Sequence, residues 1–326
     1  MNHPRRRILL AAAAALGGCT IGGPRPLSRR LPDAEALPLG GEQVLGVLEL
    51  DGTALGRGGL SGLHVGRDAA GELALTAIGD GGTWATARLV LDEAGAPLRI
   101  EAPRRGALHD PHGRSLVAKI DSDAESLARL SDGSWLVGFE RWHRIWRYRD
   151  LDGLPEPMDP PPGIEDAPFN GGLEALAVLA DGRWLALAEQ LSARRDEGMR
   201  TGWIGQFRDG RVRWDRLAYH PGWGFDPSDL CPLPDGGALV LERRFSLFGG
   251  LSGRLSRLSR AALASAAEGS LLEGELLLRL EPPLPTDNWE GVSVVRHGGR
   301  LLAVIVSDSN EIPIQRTLLM VVALPA

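Results

Sequence analysis

The feature that most restricts how this chain can fold is a hairpin that it writes five times. Residues 125–140 run from Glu125 through a short apolar stretch to Asp132-Gly133, then through a second apolar stretch to Glu140. An Asp-Gly pair between two short apolar runs is a strong hairpin signal, because both turn residues tolerate positive φ. The same unit recurs from Glu174 to Glu189 around Asp181-Gly182. It recurs again from Asp229 to Glu242 around Asp235-Gly236, and from Glu290 to Asp308 around Gly298-Gly299. A weaker copy runs from Ser61 to Asp80 around Ala70-Gly71. An acid closes the second strand in all five and opens the first in four. The copies begin about 50–65 residues apart, the length of one four-stranded propeller blade with its loops. The expected fold is all-β, a single propeller of five blades, or six if residues 83–119 hide a degenerate one.

The segments between hairpins fit this reading. Arg144–Tyr148 supplies a third strand, Gly202–Phe207 with Val212–Ala218 a third and fourth, and Leu255–Leu258 with Leu276–Leu280 the same in the next blade. The last repeat lacks a fourth strand after Arg316–Leu324. Val44–Leu50, from the other end of the chain, is expected to complete it and so remove an exposed sheet edge. The Pro-rich, acidic loop 150–170 is expected to cross the mouth or cover an edge. High Gly (43) and Pro (23) agree with many turns and few helices.

The N-terminus reads as a processing segment. Arg5-Arg6-Arg7 precedes the apolar run Ile8–Leu16, which is too short to span a bilayer, and Leu16-Gly17-Gly18-Cys19 follows. The last four resemble a bacterial lipobox, with Cys19 as the lipidated residue, and Arg5-Arg6 resembles a twin-arginine export signal. The expected organisation is a signal over 1–19, a flexible Pro/Gly/Arg-rich tether over 20–42, and the propeller over 43–326. The expected location is the periplasm or cell envelope, with the lipid anchor as the only membrane contact and the chain a monomer. Export with one remaining cysteine, Cys231, leaves no intrachain disulfide, and Cys231 reads as a buried core thiol. A net charge of −6 without a basic stripe argues against nucleic acid as a partner.

If the first two strands of each repeat are the inner ones, their open ends gather at one mouth of the central channel. That places Glu125, Glu140, Glu174, Glu189, Asp229, Glu242, Glu290 and Asp308 together, with Asp80 nearby. Turn symmetry also sets Glu125 directly opposite Glu140, a like-charge pair that needs compensation. Calcium is the expected cofactor, since it takes several carboxylate and carbonyl oxygens. The competing reading is that each acid pairs with an Arg or caps backbone N–H groups. His109 and His112 are read as ordinary loop polarity and most Trp as blade packing. Trp142, Trp223 and Trp289 adjoin the acids. There is no Gly-x-Ser-x-Gly elbow and no His-Glu-x-x-His or Cys/His zinc pattern.

An ordered set of motifs resembles the family called esterase-like activity of phytase, the phytase-like propeller proteins. The set comprises Gly59-Leu-Ser-Gly-Leu63, Glu140-Arg-Trp-His-Arg-Ile145, Gly171-Gly-Leu-Glu-Ala-Leu176, Asp287-Asn-Trp-Glu-Gly291, Ser307-Asp308-Ser-Asn310 and Gln315–Leu319. Pro234-Asp235-Gly236 with Leu241-Glu242-Arg243 belongs to it as well. One departure is Gly79-Asp80-Gly81-Gly82, where such proteins commonly show Ser-Asp-Arg-Gly. The resemblance implies an exported propeller with phosphoester or ester hydrolysis; with calcium in the acid ring, the expected activity is calcium-dependent and acts on a small molecule. Arg141, His143, Arg243 and Arg316 would hold the substrate's phosphate, Arg being suited to it by its forked donors. Two alternatives stay open: a non-catalytic propeller that binds a ligand or protein in the envelope, and a lactonase-like metal-dependent hydrolase.

Overall fold

A computed structural model describes residues 26–32, 41–55, 59–193, 196–247, 249–309 and 315–325. The segment read as a signal, residues 1–19 with Cys19, lies outside them. The chain forms a five-bladed β-propeller. Blade I is Leu63–Arg67, Leu73–Gly79, Thr83–Leu91 and Pro97–Ala107, which accounts for residues 83–119 without a sixth blade. Blade II is Ala124–Arg129, Trp135–Phe139, Arg144–Tyr148 and Pro155–Met158. Blade III is Ala175–Val178, Trp184–Ala193, Asp196–Arg208 and Arg211–His220, with Leu271–Glu273 added in parallel at its edge. Blade IV is Asp226–Pro232, Ala238–Ser246, Gly250–Leu258 and Glu275–Leu280.

Blade V closes the ring from both ends of the chain. Asn288–His297, Arg300–Asp308 and Leu318–Leu324 come from the C-terminal side, and Gln43–Leu50 pairs antiparallel with Leu318–Leu324, as expected. A fifth strand, Ser28–Arg30, then pairs with Leu48–Leu50. The propeller therefore begins inside the stretch read as a tether. Arg29 holds this strand in place through an ion pair with Glu49 at 2.7 Å.

Burial follows from the alternation of the strands. Five apolar clusters fill the five blade–blade interfaces among the described residues. Trp184, Trp203 and Trp289 are fully buried in them, each contributing roughly 3 kcal/mol or less of transfer free energy. Loop 150–170 lies against blade III. Asp159 accepts from Val212 N at 3.0 Å, and its carbonyl accepts from Trp214 Nε1 at 3.0 Å. The inner strands of all five blades line one central cavity of about 290 Å³, walled by Leu63, Leu127, Leu176, Leu230 and Val294. Cys231 also lines it as a buried free thiol, its pKa raised by burial. The acids sit at the other end of this channel, where the second strand of each blade finishes.

Candidate metal centre at the channel mouth

The geometry of the mouth starts from a β-bulge. In blade II the register runs Ala124 opposite Phe139 and then Ser126 opposite Gly138, which leaves Glu125 as the extra residue. Glu140 N donates to Asp123 O at 2.8 Å. The expected cross-strand pairing of Glu125 with Glu140 is therefore corrected: Asp123 is the residue opposite Glu140, and Glu125 is turned out of the ladder. A bulge re-aims one side chain without breaking the sheet. Blade V repeats the device with Glu290 as the extra residue, and blade IV with Ser228. In blade III, Gly172 O accepts from both Glu174 N and Glu189 N at 3.0 Å, so Glu174 is placed just ahead of the first paired residue, Ala175.

This turns Glu125 and Glu174 toward the second-strand acids. Ligand oxygens of Asp123, Glu125 and Glu140 lie within 4.8 Å of one another, and so do those of Glu140, Glu174 and Glu189. Glu140 belongs to both triads. Its Oε1 accepts from Gly172 N at 2.8 Å and from Gly171 N, so one oxygen is oriented by backbone. Any Cβ on Gly172 would come within 2.3 Å of the His143 ring, which explains a glycine at this close approach. The carboxylates of Glu125 and Glu174 have neither a hydrogen bond nor an ion pair among the described residues. Burial pushes both carboxyls well above the ordinary 4.5, and neighbouring acids push the same way: Asp123, Glu140 and Glu290 on Glu125, and Glu125 and Glu189 on Glu174. Burial likewise raises Glu140, against the opposing pull of Gly172 N–H.

The other half of the ring is neutralised from within. Arg243 Nη2 pairs with Glu189 Oε1 at 2.8 Å, and Nη1 pairs with Glu290 Oε1 and donates to Asn288 Oδ1 at 2.9 Å. Asn288 Nδ2 donates to the same Glu290 oxygen at 2.6 Å. The buried Glu290 Oε2 has no hydrogen-bond partner, and burial lifts the Glu290 carboxyl to about 8. At the far side of the first triad, Lys119 bridges Asp80 and Asp123 at 2.5 Å each, and Arg141 pairs with the other Asp123 oxygen. Arg141 takes a left-handed backbone (φ 61) and lays its guanidinium over Phe169 at 4.8 Å.

Two of the expected ligands are otherwise engaged. Asp229 accepts from Leu230 N and Val292 N, each at 2.8 Å, and so clasps the inner strands of blades IV and V. Glu242 accepts from Gly222 N at 3.0 Å, from Arg254 Nε at 2.9 Å and from the Tyr219 hydroxyl. For these two, the competing reading of acids spent on backbone and arginine describes the contacts. Asp308 lies against Gly59, where a Cβ would fall 1.5 Å from its Oδ1. Arg316 is exposed near Asp287, with Nε 3.8 Å from Oδ2. His143 is half-buried behind the Gly171-Gly172 turn, and burial lowers its pKa. Sequence reasoning missed Asp123, which is adjacent to the bulge, and Asn288. The signal for both was present: each precedes a bulged Glu by two residues.

The family model described as esterase-like activity of phytase matches residues 56–311. The chain belongs to this phytase-like family. Solved propellers are similar to it in fold. An endo-arabinase from Bacteroides thetaiotaomicron superposes with a TM-score of 0.50 at 11% identity, covering 90% of this chain and 98% of its own. A putative gluconolactonase gives 0.45 at 12% identity, covering 92% and 94%. An aldose sugar dehydrogenase from Streptomyces coelicolor gives 0.42 at 15% identity, covering 88% and 100%. No curated protein sequence matches the chain. For this family member, the matched range contains every acid of the two triads.

Proposed function

We propose that this phytase-like propeller is an exported, calcium-dependent hydrolase of phosphoester or ester bonds in a small molecule. Its centre is formed by Glu125, Glu140 and Glu174 at the channel mouth. The observation that carries the reading is the state of Glu125 and Glu174: a half-buried and a buried carboxylate that face other carboxylates and have no donor of their own. Such a cluster is stable only if protons or a cation neutralise it, and an oxygen-only donor set suits a hard cation. Asp123 and Glu189 complete the donor set. Calcium held there supplies charge neutralisation and polarisation at a substrate oxygen.

The chain's own residues do the rest. The Gly171-Gly172 turn fixes Glu140, and the Arg243 guanidinium bridges Glu189 and Glu290 and so places a positive charge at the blade IV side of the ring. Arg141 and Arg316, at the rim, are positioned to meet an anionic group. Export and attachment of the monomer to the cell envelope through Cys19 belong to the same proposal. One observation favours the non-catalytic reading. Arg141 and Arg243, read as phosphate-holding, are already engaged by Asp123, Glu189 and Glu290.

The test is hydrolysis of p-nitrophenyl phosphate, p-nitrophenyl acetate, phytate and a panel of lactones, each with calcium and with EDTA, beside the melting temperature under the same conditions. Calcium-dependent turnover supports the hydrolase, and turnover of lactones alone moves it to the lactonase class. Calcium stabilisation without turnover leaves a binding propeller. No turnover and no calcium stabilisation refutes the metal centre.

A further inference from the structure

We infer that the acid-lined mouth faces a lipid bilayer and that the aromatic rim around it inserts into the bilayer surface. Four large apolar side chains stand exposed around this mouth, whereas Leu98, Leu154 and Phe207 lie singly at the opposite ends of blades I, II and III. Trp223 is 90% exposed, Leu247 87%, Phe245 69% and Trp142 55%. Each stands one to five residues from a mouth acid or from the backbone that cradles it. Trp142 follows Glu140-Arg141, Phe245 and Leu247 follow Glu242, and Trp223 follows Gly222, whose N–H binds Glu242. The opposite face carries the polar turns around Asp132, Asp181 and Asp235.

Trp is the residue suited to the headgroup level of a membrane, with an apolar ring and a polar N–H. Cationic side chains share the rim. Arg244 stacks over Phe225 at 4.5 Å and has no acidic partner among the described residues, and Arg316 is exposed. These suit phosphate headgroups. The mouth carboxylates are recessed, Glu140 and Glu189 being 4% and 7% exposed, so they do not oppose the lipid directly.

The path of the chain selects a bilayer over other apolar partners. Ser28–Arg30 runs antiparallel to Gln43–Leu50 with Ser28 opposite Leu50. Leu50 N donates to Thr317 O at 2.8 Å, and Asp51 N to Leu27 O at 2.9 Å. Thr317 follows Arg316, whose carbonyl accepts from Ser307 Oγ at 2.8 Å at the mouth end of blade V. The chain therefore enters the propeller at the mouth rim. Upstream of Pro26 lie seven residues back to Cys19, and before it the apolar run Ile8–Leu16. Seven extended residues reach about 25 Å at most. Whether Cys19 or the apolar run is held in lipid, the attachment draws this same face, not the opposite one, to the bilayer.

This inference does not depend on the metal. The full chain is mixed with vesicles of phosphatidylethanolamine and phosphatidylglycerol whose acyl chains are brominated, and Trp emission is recorded. Part of the emission should be quenched. The quenched fraction should fall at least about twofold in the double variant Trp142→Phe/Trp223→Phe, since most other Trp are buried. Phe245→Ser/Leu247→Ser should reduce quenching while leaving calcium stabilisation unchanged. Vesicle-bound protein with unquenched emission, quenching that survives removal of Trp142 and Trp223, or no binding to vesicles each overturns the inference.

Discussion

Replacing Glu174 by Gln should stabilise the metal-free protein at alkaline pH and weaken its response to calcium. The two effects have opposite sign, so no general damage to the fold can imitate them. Glu174 is 4% exposed and makes no hydrogen bond that the amide would lose. Its folded pKa is raised above the unfolded 4.5, first by burial and then by Glu125 and Glu189. For such a group the native state binds more protons than the unfolded state, so stability falls as pH rises from 4.5 toward the folded value. The carboxyl can always take up a proton instead of bearing the repulsion. Its penalty is therefore bounded by about 1.4 kcal/mol for each pH unit above 4.5, or about 3.5 kcal/mol at pH 7 and under 1 kcal/mol at pH 5.

An amide is neutral throughout and removes that penalty. In EDTA at pH 8, Glu174→Gln should therefore gain about 1–3 kcal/mol, roughly 2–6 °C in melting temperature for a chain of this size. At pH 5 it should match the parent. With calcium the advantage should shrink or vanish. Loss of one carboxylate ligand that weakens binding tenfold removes about 1.4 kcal/mol of the stabilisation at saturating ion. Differential scanning calorimetry at pH 5 and pH 8, with EDTA and with calcium, measures all four states. A Glu174→Gln protein less stable than the parent in EDTA at pH 8 would mean that Glu174 has a favourable partner, and the argument for a cation would fail. An unchanged calcium shift would remove Glu174 from the ligand set.

Three further outcomes follow from the same geometry. Without metal, urea unfolding should show stability decreasing between pH 4.5 and about 8, the window set by Glu290, with Glu125 and Glu174 acting in the same direction; a flat or rising profile would contradict it. Asp229→Ala should cost roughly 2–3 kcal/mol in chemical denaturation, because Leu230 and Val292 N–H lose a buried acceptor, while the calcium-induced shift stays as in the parent. Gly172→Ala should displace either His143 or the turn, lowering calcium affinity through Glu140 more than it lowers stability in EDTA; calcium titration by calorimetry decides this, and an unaltered affinity would show that the cradle is not needed.

Most of the architecture was legible because it depends on local chemistry that repeats. Asp-Gly at 132–133, 181–182 and 235–236 each forces a tight turn, and the strands on either side inherit their register from it. Closure by Gln43–Leu50 was legible for a negative reason, since the last repeat lacked an outer strand. Ser28–Arg30 was not legible. Its three residues carry no alternating pattern, and the strand exists because Leu48–Leu50 presents an open edge and Glu49 an ion-pair partner for Arg29. The bulge was equally hidden. Turn symmetry counts residues, and it fails by one wherever a strand inserts an unpaired residue. In blade II that error moved the partner of Glu140 from Asp123 to Glu125.

That single inserted residue is also what divides the acids into different kinds. Blades II to V each offer two places at the mouth, one at the start of the first strand, where blades II, IV and V insert a bulged residue, and one near the mouth end of the second. Blade II fills them with Glu125 and Glu140, blade III with Glu174 and Glu189, and blade V with Glu290 and Asp308. Blade IV puts Ser228 in the bulge, and its hydroxyl donates to Trp289 O at 2.9 Å, so that blade brings no charge to the first place. It contributes Arg243 instead, one residue beyond its second-strand acid. Arg243 reaches across to Glu189 and Glu290 and neutralises the side of the ring next to blade IV. The uncompensated charge is thereby left on Glu125, Glu140 and Glu174, between blades II and III. A ring of equivalent carboxylates would spread a cation over the whole mouth. One serine and one arginine in a fivefold repeat confine it to one corner, which is the asymmetry that a site for an asymmetric substrate requires.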